Sequence, residues 1–176
     1  TLGFQARRRI GGLGGDQPAS GDCAGFDGGC ALGVGGRERA QLPVGAKTML
    51  ERVLEGLQGF GPIRIVADFP VPGAQVIPAG QNFVESLSRG LDAIESSHFL
   101  LVTADVPDLT PQAVQDFVDK CDRSALINYP LIPLDLANER YPGFKRTSYA
   151  LSMGRVTGGN IAFVATDLIR KSLPRL

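Results

Sequence analysis

The sequence predicts an α/β protein of three layers, with helices on both faces of a mostly parallel sheet. Three observations predict it. From residue 37 onward, apolar segments at helical spacing alternate with short β-rich runs. One of these runs, "FLLVTA" at 99–104, is apolar almost throughout, as strands covered on both faces are. The helical segments open on residues that cap helix N-termini.

The elements follow in order. "KTMLERVLEGL" (47–57) is a helix: Thr48 and Glu51 form a T-x-x-E capping box, and Leu50, Val53, Leu54 and Leu57 make one face. "PIRIVAD" (62–68) is a strand. "QNFVESLSRGLDAIESS" (81–97) is a helix with Asn82 as cap and Val84, Leu87, Leu91 and Ile94 on one face. "FLLVTA" is the buried strand. "TPQAVQDFVDKC" (110–121) is a helix capped by Thr110, with Pro111 in its first turn. "SALINYPLIP" (124–133) and "NIAFVA" (160–165) are strands, and "TDLIRKSL" (166–173) begins a last helix with Thr166 as cap.

Bulk properties exclude several function classes. A length of 176 residues suits one domain with a real core. Eighteen Lys and Arg balance eighteen Asp and Glu, so no broad basic face for nucleic acid is signalled. No apolar run approaches the roughly 20 residues that span a bilayer. Arg7, Arg8 and Arg9 are followed by no apolar segment, so they do not form a secretory signal. Cys23, Cys30 and Cys121 form no CxxC, and His98 is the sole histidine, so a Cys/His zinc site is not expected. A reduced, cytoplasmic protein is the default.

Residues 1–36 differ from the rest. They hold 12 of the 23 glycines and show no strand or helix periodicity, so they form a separate, atypical segment ahead of a domain at 37–176. Two explanations stay open, a phosphate-binding glycine loop or a loosely ordered leader. The GxGxxG fingerprint fails in register, ending on Gln17 from Gly12 and on Glu38 from Gly33, and no GK[ST] follows.

Several residues carry candidate chemistry. Asp105 stands at the end of the most apolar strand, where parallel sheets bind ligands, and Pro107 stiffens the backbone after it. A carboxylate there suits Mg²⁺, and a plain loop acid is the alternative. Asp108 is a weaker second candidate, beside a helix cap. In "VTGGN" (156–160), Thr157, Gly158, Gly159 and Asn160 form either a ligand-facing turn or a tight structural one. Lys145 and Arg146 are expected in a loop and suit phosphates or bulk solvent. Gly35, Gly36, Arg37, Arg39 and Lys47 precede a helix, a reasonable phosphate cradle. Gly80 and Asn82 form a glycine turn into a helix N-terminus, able to contact a base or simply to cap. His98, with no carboxylate neighbour in sequence, is structural.

Taken in order, "GRERAQLPVGAKTMLERVLEGL", "GQNFVESLSRGL", "FLLVTADVPDLT", "YPGFKRTSYAL" and "RVTGGNIAFV" resemble the MobA-like nucleotidyltransferases, over about residues 37–176. The likeness is to an uncharacterised branch with a YP…KRT segment and a TGGN turn. It implies a Rossmann-like, GT-A-like sheet of the nucleotide-diphospho-sugar transferase type, with one antiparallel strand. It implies transfer of NMP from an NTP to a small phosphorylated acceptor, with Mg²⁺ (or Mn²⁺) and release of pyrophosphate. Nucleic acid and membrane are not partners. Asp105 then matches the metal aspartate, and Arg39 falls where the family has a lysine. Gly35, Gly36 and Arg37 would take phosphates, and Gly80 and Asn82 would line the base. Arg39, Lys145 and Arg146 would act as catalytic cations, with Thr157–Asn160 facing the acceptor. The family's LAGG-type loop has only Ala24-Gly25 as its nearest match here, and members usually run several dozen residues further, so the resemblance implies a shortened chain. Two alternatives compete: a non-catalytic nucleotide-binding domain on the same fold, and a transferase using a nucleotide sugar.

Overall fold

A computed structural model describes residues 30–33 and 37–173. In chain order these form β1 (Cys30–Gly33), α1 (Arg37–Ala40), β2 (Pro43–Val44), β3 (Lys47–Thr48), α2 (Met49–Gly56), β4 (Ile63–Ala67), β5 (Val76–Pro78), α3 (Phe83–Asp92) and β6 (His98–Thr103). They continue through α4 (Pro111–Lys120), β7 (Ile127–Asn128), β8 (Leu131–Pro133), α5 (Leu134–Arg140), β9 (Tyr149–Leu151), β10 (Gly154–Gly158), β11 (Ile161–Ala165) and α6 (Thr166–Ser172).

The main sheet has the order β5-β4-β1-β6-β11-β7. β5, β4, β1 and β6 run parallel, while β11 runs antiparallel to both β6 and β7. The alternating side chains of β6 explain the three layers. Leu100 and Val102 point into a cluster with Leu50 and Val53 of α2, its C-cap Leu57 and Val114 of α4. Phe99 points the other way, into a cluster with Leu91 of α3, Val164 of β11 and, at its edge, Ile169 of α6. Phe99, Leu100 and Val102 are wholly buried, each contributing about 1.5–3 kcal/mol of transfer free energy. That is why this strand is the most apolar in the chain.

Local chemistry sets the helix starts. Thr48 and Glu51 form the reciprocal capping box, Asn82 accepts from the Glu85 N–H, and Thr110 accepts from the Ala113 N–H with Pro111 in the first turn. Thr166 departs from expectation. Ala165 is the cap of α6, and the Thr166 hydroxyl donates to the Ser96 carbonyl at 2.7 Å instead, stitching α6 to the loop before β6.

Three further expectations are corrected. "SALINYPLIP" is two short strands in different sheets: Tyr129-Pro130 separates them, and proline has no N–H for a ladder. The second helix stops at Asp92, not near Ser97. The domain does not start at residue 37, because β1 lies between β4 and β6 at the centre of the sheet. Its four residues, Cys-Ala-Leu-Gly, are too short a run to show periodicity. Between β7 and β11 the chain builds a second antiparallel sheet, β8-β10-β9, packed by α5. Among the described residues no helix is long and apolar enough to cross a membrane.

Candidate active site

Because β1, β4, β5 and β6 are parallel, their carboxyl ends share one edge of the sheet. The antiparallel β11 starts from that same edge. The chain builds outward from β1 to β4 and β5 on one side, then crosses to β6 on the other. Such a reversal leaves a crevice outside the strand ends, the ligand position of open α/β sheets. Asp68, the turn Ala79–Asn82, Asp105 and Asn160 are all carried to this edge.

Asp105 and Asn160, 55 residues apart, meet there. The Asn160 Nδ2 donates to Asp105 Oδ1 at 3.3 Å, and the Thr103 hydroxyl donates to the same oxygen at 2.5 Å. The backbone adds a third tie, Thr103 N–H donating to the Asn160 carbonyl at 3.1 Å. One carboxylate oxygen is thus fixed, and among the described residues no hydrogen bond reaches Oδ2. The chain then turns, with Leu109 N–H donating to the Val106 carbonyl at 3.1 Å. Gly56, at the end of α2, backs this turn so closely that a Cβ there would lie 2.6 Å from the Leu109 carbonyl oxygen.

Asp108 has a different partner: the Tyr141 hydroxyl donates to its Oδ2 at 2.6 Å. That bond, with the carboxylate's charge, raises the tyrosine's pKa above its usual range. Tyr141 opens the irregular segment 141–148, which carries Lys145 and Arg146. Lys145 is exposed. The Arg146 guanidinium lies 5.4 Å from the Tyr141 ring centroid and 6.0 Å from that of Phe144, and its buried Nε has no partner among the described residues. Strand β10 holds this segment in place. The buried Thr157 hydroxyl donates to the Thr147 carbonyl at 3.0 Å, and Arg155 donates to the Ser148 hydroxyl at 2.8 Å.

The remaining candidates are placed as follows. Gly158 and Gly159 are hemmed in by the protein itself: a Cβ at Gly158 would meet Tyr129 Oη at 2.2 Å, and one at Gly159 would meet Pro130 Cγ at 2.7 Å. At Gly80 a Cβ would meet Glu85 Cβ at 2.5 Å, and its N–H donates to the Ser86 hydroxyl at 2.9 Å. Asn82 Oδ1 is engaged by the Glu85 N–H at 2.9 Å. The Gln81 N–H and the Arg89 guanidinium together lower the Glu85 pKa. Arg39 is exposed on α1. Gly35 and Gly36 lie outside the described residues, as do the side chain of Arg37, Ala24, Gly25 and Cys23. Lys47 pairs with Glu55. His98 stacks on Phe163 with ring centroids 5.0 Å apart, a structural contact. The bond of Tyr141 to Asp108 and the packing of Gly56 on Leu109 escaped the sequence analysis, because each is set by tertiary contact, and Asp68 was read only as the end of a strand.

The donor set at Asp105 fits a hard cation. It offers a carboxylate oxygen and a neighbouring amide, with no sulfur or imidazole, and Mg²⁺ takes one or two carboxylates plus waters and substrate phosphates. Among the described residues no group of three or more His, Cys, Asp or Glu could form a closed protein cage.

The MobA-like NTP transferase domain matches residues 28–136, more than half of the chain. The chain belongs to this family. It is a nucleotidyltransferase domain, and its GT-A-like fold is shared by known structures. A hypothetical transferase from Thermus thermophilus is 30% identical, covering 83% of this chain and 68% of that one, with a TM-score of 0.74. The 2-C-methyl-D-erythritol 4-phosphate cytidylyltransferase of Thermus thermophilus is 17% identical, covering 83% and 74%, with a TM-score of 0.60. A Mycobacterium tuberculosis protein solved in complex with manganese is 17% identical, covering 84% and 74%, with a TM-score of 0.54. No curated protein matches the chain.

Proposed function

We propose that this MobA-like domain transfers an NMP group from an NTP to a small phosphorylated acceptor, with Mg²⁺ or Mn²⁺, releasing pyrophosphate. The observation that carries the proposal is the Asp105–Asn160 pair at the carboxyl edge, beside the crossover from β1 to β6. A structural neighbour that is a cytidylyltransferase for 2-C-methyl-D-erythritol 4-phosphate, and another solved with manganese, are in keeping with it.

The roles follow from position. Asp105, with Asn160 beside it, would hold the cation. Bound there, a divalent ion offsets phosphate charge and aligns an in-line displacement. Thr103 and Asn160 fix one carboxylate oxygen and so set the direction in which the other faces. Gly35, Gly36, Arg37 and Arg39 follow β1 in sequence and are assigned to the β- and γ-phosphates. Gly80 and Asn82, at the end of β5, are assigned to the nucleotide. Lys145 and Arg146 supply positive charge toward the acceptor, the turn Thr157–Asn160 faces it, and Thr157 also ties the segment 141–148 to β10. Transfer of this kind needs positioning and charge more than a general base. Such substrates belong to the cytoplasm.

The test is metal-dependent pyrophosphate release across the four NTPs with a panel of sugar phosphates and phosphorylated cofactors. Release that needs Mg²⁺ or Mn²⁺ and disappears in Asp105→Ala is expected. Nucleotide binding without release for any pair would refute the transferase proposal, and activity that survives Asp105→Ala would place the metal elsewhere.

A further inference from the structure

Between α5, β8 and the segment 141–146 lies a cavity of about 620 Å³. Its walls have an unusual composition for a sugar phosphate site. Ile132, Leu136, Ala137 and Tyr141 supply a largely apolar lining that Arg140 and Arg146 share. Glu139 is the one acid on the wall, so the cationic groups outnumber it. Arg146 lies against two aromatic rings, its guanidinium 5.4 Å from the Tyr141 centroid and 6.0 Å from that of Phe144, and places its charge on the cavity wall.

The cavity is also tied to the proposed metal position. Its wall residue Tyr141 donates to Asp108, three residues beyond Asp105. Three residues span at most about 11 Å of chain, the reach of a small molecule.

We propose that this cavity receives the acceptor, and that the acceptor is a phosphate ester on a flat or apolar body, not a polyhydroxylated sugar. This rests on the transferase reading above and narrows its acceptor class. The anionic end faces Arg146, whose planar fork suits phosphate, and the body lies against Leu136 and the Tyr141 ring. A sugar's hydroxyls would find few partners on these walls and would be desolvated without return.

Calorimetric titration of the full chain with phenyl phosphate and with glucose 1-phosphate, without nucleotide, tests this. Phenyl phosphate is expected to bind the more tightly. Arg146→Met and Leu136→Asp are each expected to weaken it about tenfold or more, with Arg146→Lys in between, because lysine keeps the charge and loses the fork. Leu136 is 58% exposed, so that variant tests the cavity even where Arg146→Met fails to fold. No phenyl phosphate binding, tighter glucose 1-phosphate binding, or affinity unchanged in both Arg146→Met and Leu136→Asp would overturn the proposal. Arg146-dependent phenyl phosphate binding in a protein that releases no pyrophosphate with any NTP would keep the cavity assignment and refute the transferase reading alone.

Discussion

Replacing Gly56 by alanine should loosen the protein slightly and impair the site more. Gly56 is buried at the end of α2, and an added Cβ would sit 2.6 Å from the Leu109 carbonyl oxygen and 2.9 Å from its carbonyl carbon. Those are backbone atoms of the turn after Asp105, so no side-chain rotation relieves the clash. Restoring ordinary van der Waals contact at 3.4 Å requires a displacement of about 0.8 Å. Overpacking of this kind costs about 1–3 kcal/mol. Alanine's better helix propensity offsets about 1 kcal/mol of that. The net is a loss of about 0–2 kcal/mol, or a melting temperature lower by up to about 8 °C in a domain of this size. Catalysis is more sensitive, since a misplacement near 1 Å can reduce rate about 100-fold. Urea unfolding and pyrophosphate release, measured on the same preparation, check both halves. A variant more stable than the parent with undiminished activity would refute the idea that α2 positions the Asp105 turn.

Other outcomes follow from the same geometry. Asp105→Asn should reduce metal-dependent turnover about 100-fold or more, and Asn160→Ala about 10- to 100-fold, read as a higher metal requirement. Both should melt within about 2 °C of the parent, since both side chains are exposed. Thr166→Val keeps the shape but removes the 2.7 Å bond from the buried Thr166 hydroxyl to the Ser96 carbonyl, so it should lose about 0.5–1.5 kcal/mol in urea unfolding. The carboxyls of Glu51, through Thr48, and Glu85, through Gln81 and Arg89, have lowered pKa values, which favours their charged forms in the folded state. Their stabilisation is therefore complete above the ordinary carboxylate range and should fade as the pH falls through that range and below it, a fall that Glu51→Gln shallows. Burial pushes the Cys121 thiol up to about 11, so peptide-resolved alkylation near pH 8 should label it about 100-fold more slowly in the folded protein than in urea.

How far the sequence disclosed the fold depended on where the deciding interactions lie. Helices α2, α3 and α4 were legible because cap and apolar face sit within a dozen residues of one another. β6 was legible because burial on both faces demands an apolar run. β1 was not, although it is central: four residues of mixed character are positioned by pairing with Ile63 and Leu100, neither of them near in sequence. The second sheet escaped for the reverse reason. Tyr149 and Leu151 are exposed on β9. Strands without a buried face lack the period-2 signature. At the site, Asp105 was readable from its place after a buried strand, whereas the Tyr141 bond to Asp108 spans 33 residues and leaves no local trace.

The pairing of Asp105 with Asn160 has a structural cause that reaches beyond the two side chains. β11 runs antiparallel to β6, with Ile161 opposite Val102, so the residue before β11 must fall beside the end of β6. A parallel return would have put Asn160 at the far edge of the sheet, some 20 Å away for a six-residue strand at about 3.3 Å per residue. The antiparallel return is in turn supplied by the β8-β10-β9 excursion, which leaves the main sheet after β7 and re-enters it through Gly158-Gly159-Asn160. Tyr129 and Pro130 pack directly against those two glycines, and the Gly159 N–H donates to the Pro130 carbonyl at 3.0 Å. The glycines therefore serve the site at one remove. They let the excursion close tightly enough that β11 enters in the register that brings the amide to the carboxylate. The segment that carries Lys145 and Arg146 hangs from the same excursion. One insertion thus fixes Asn160 beside Asp105 and builds the walls of the cavity near them.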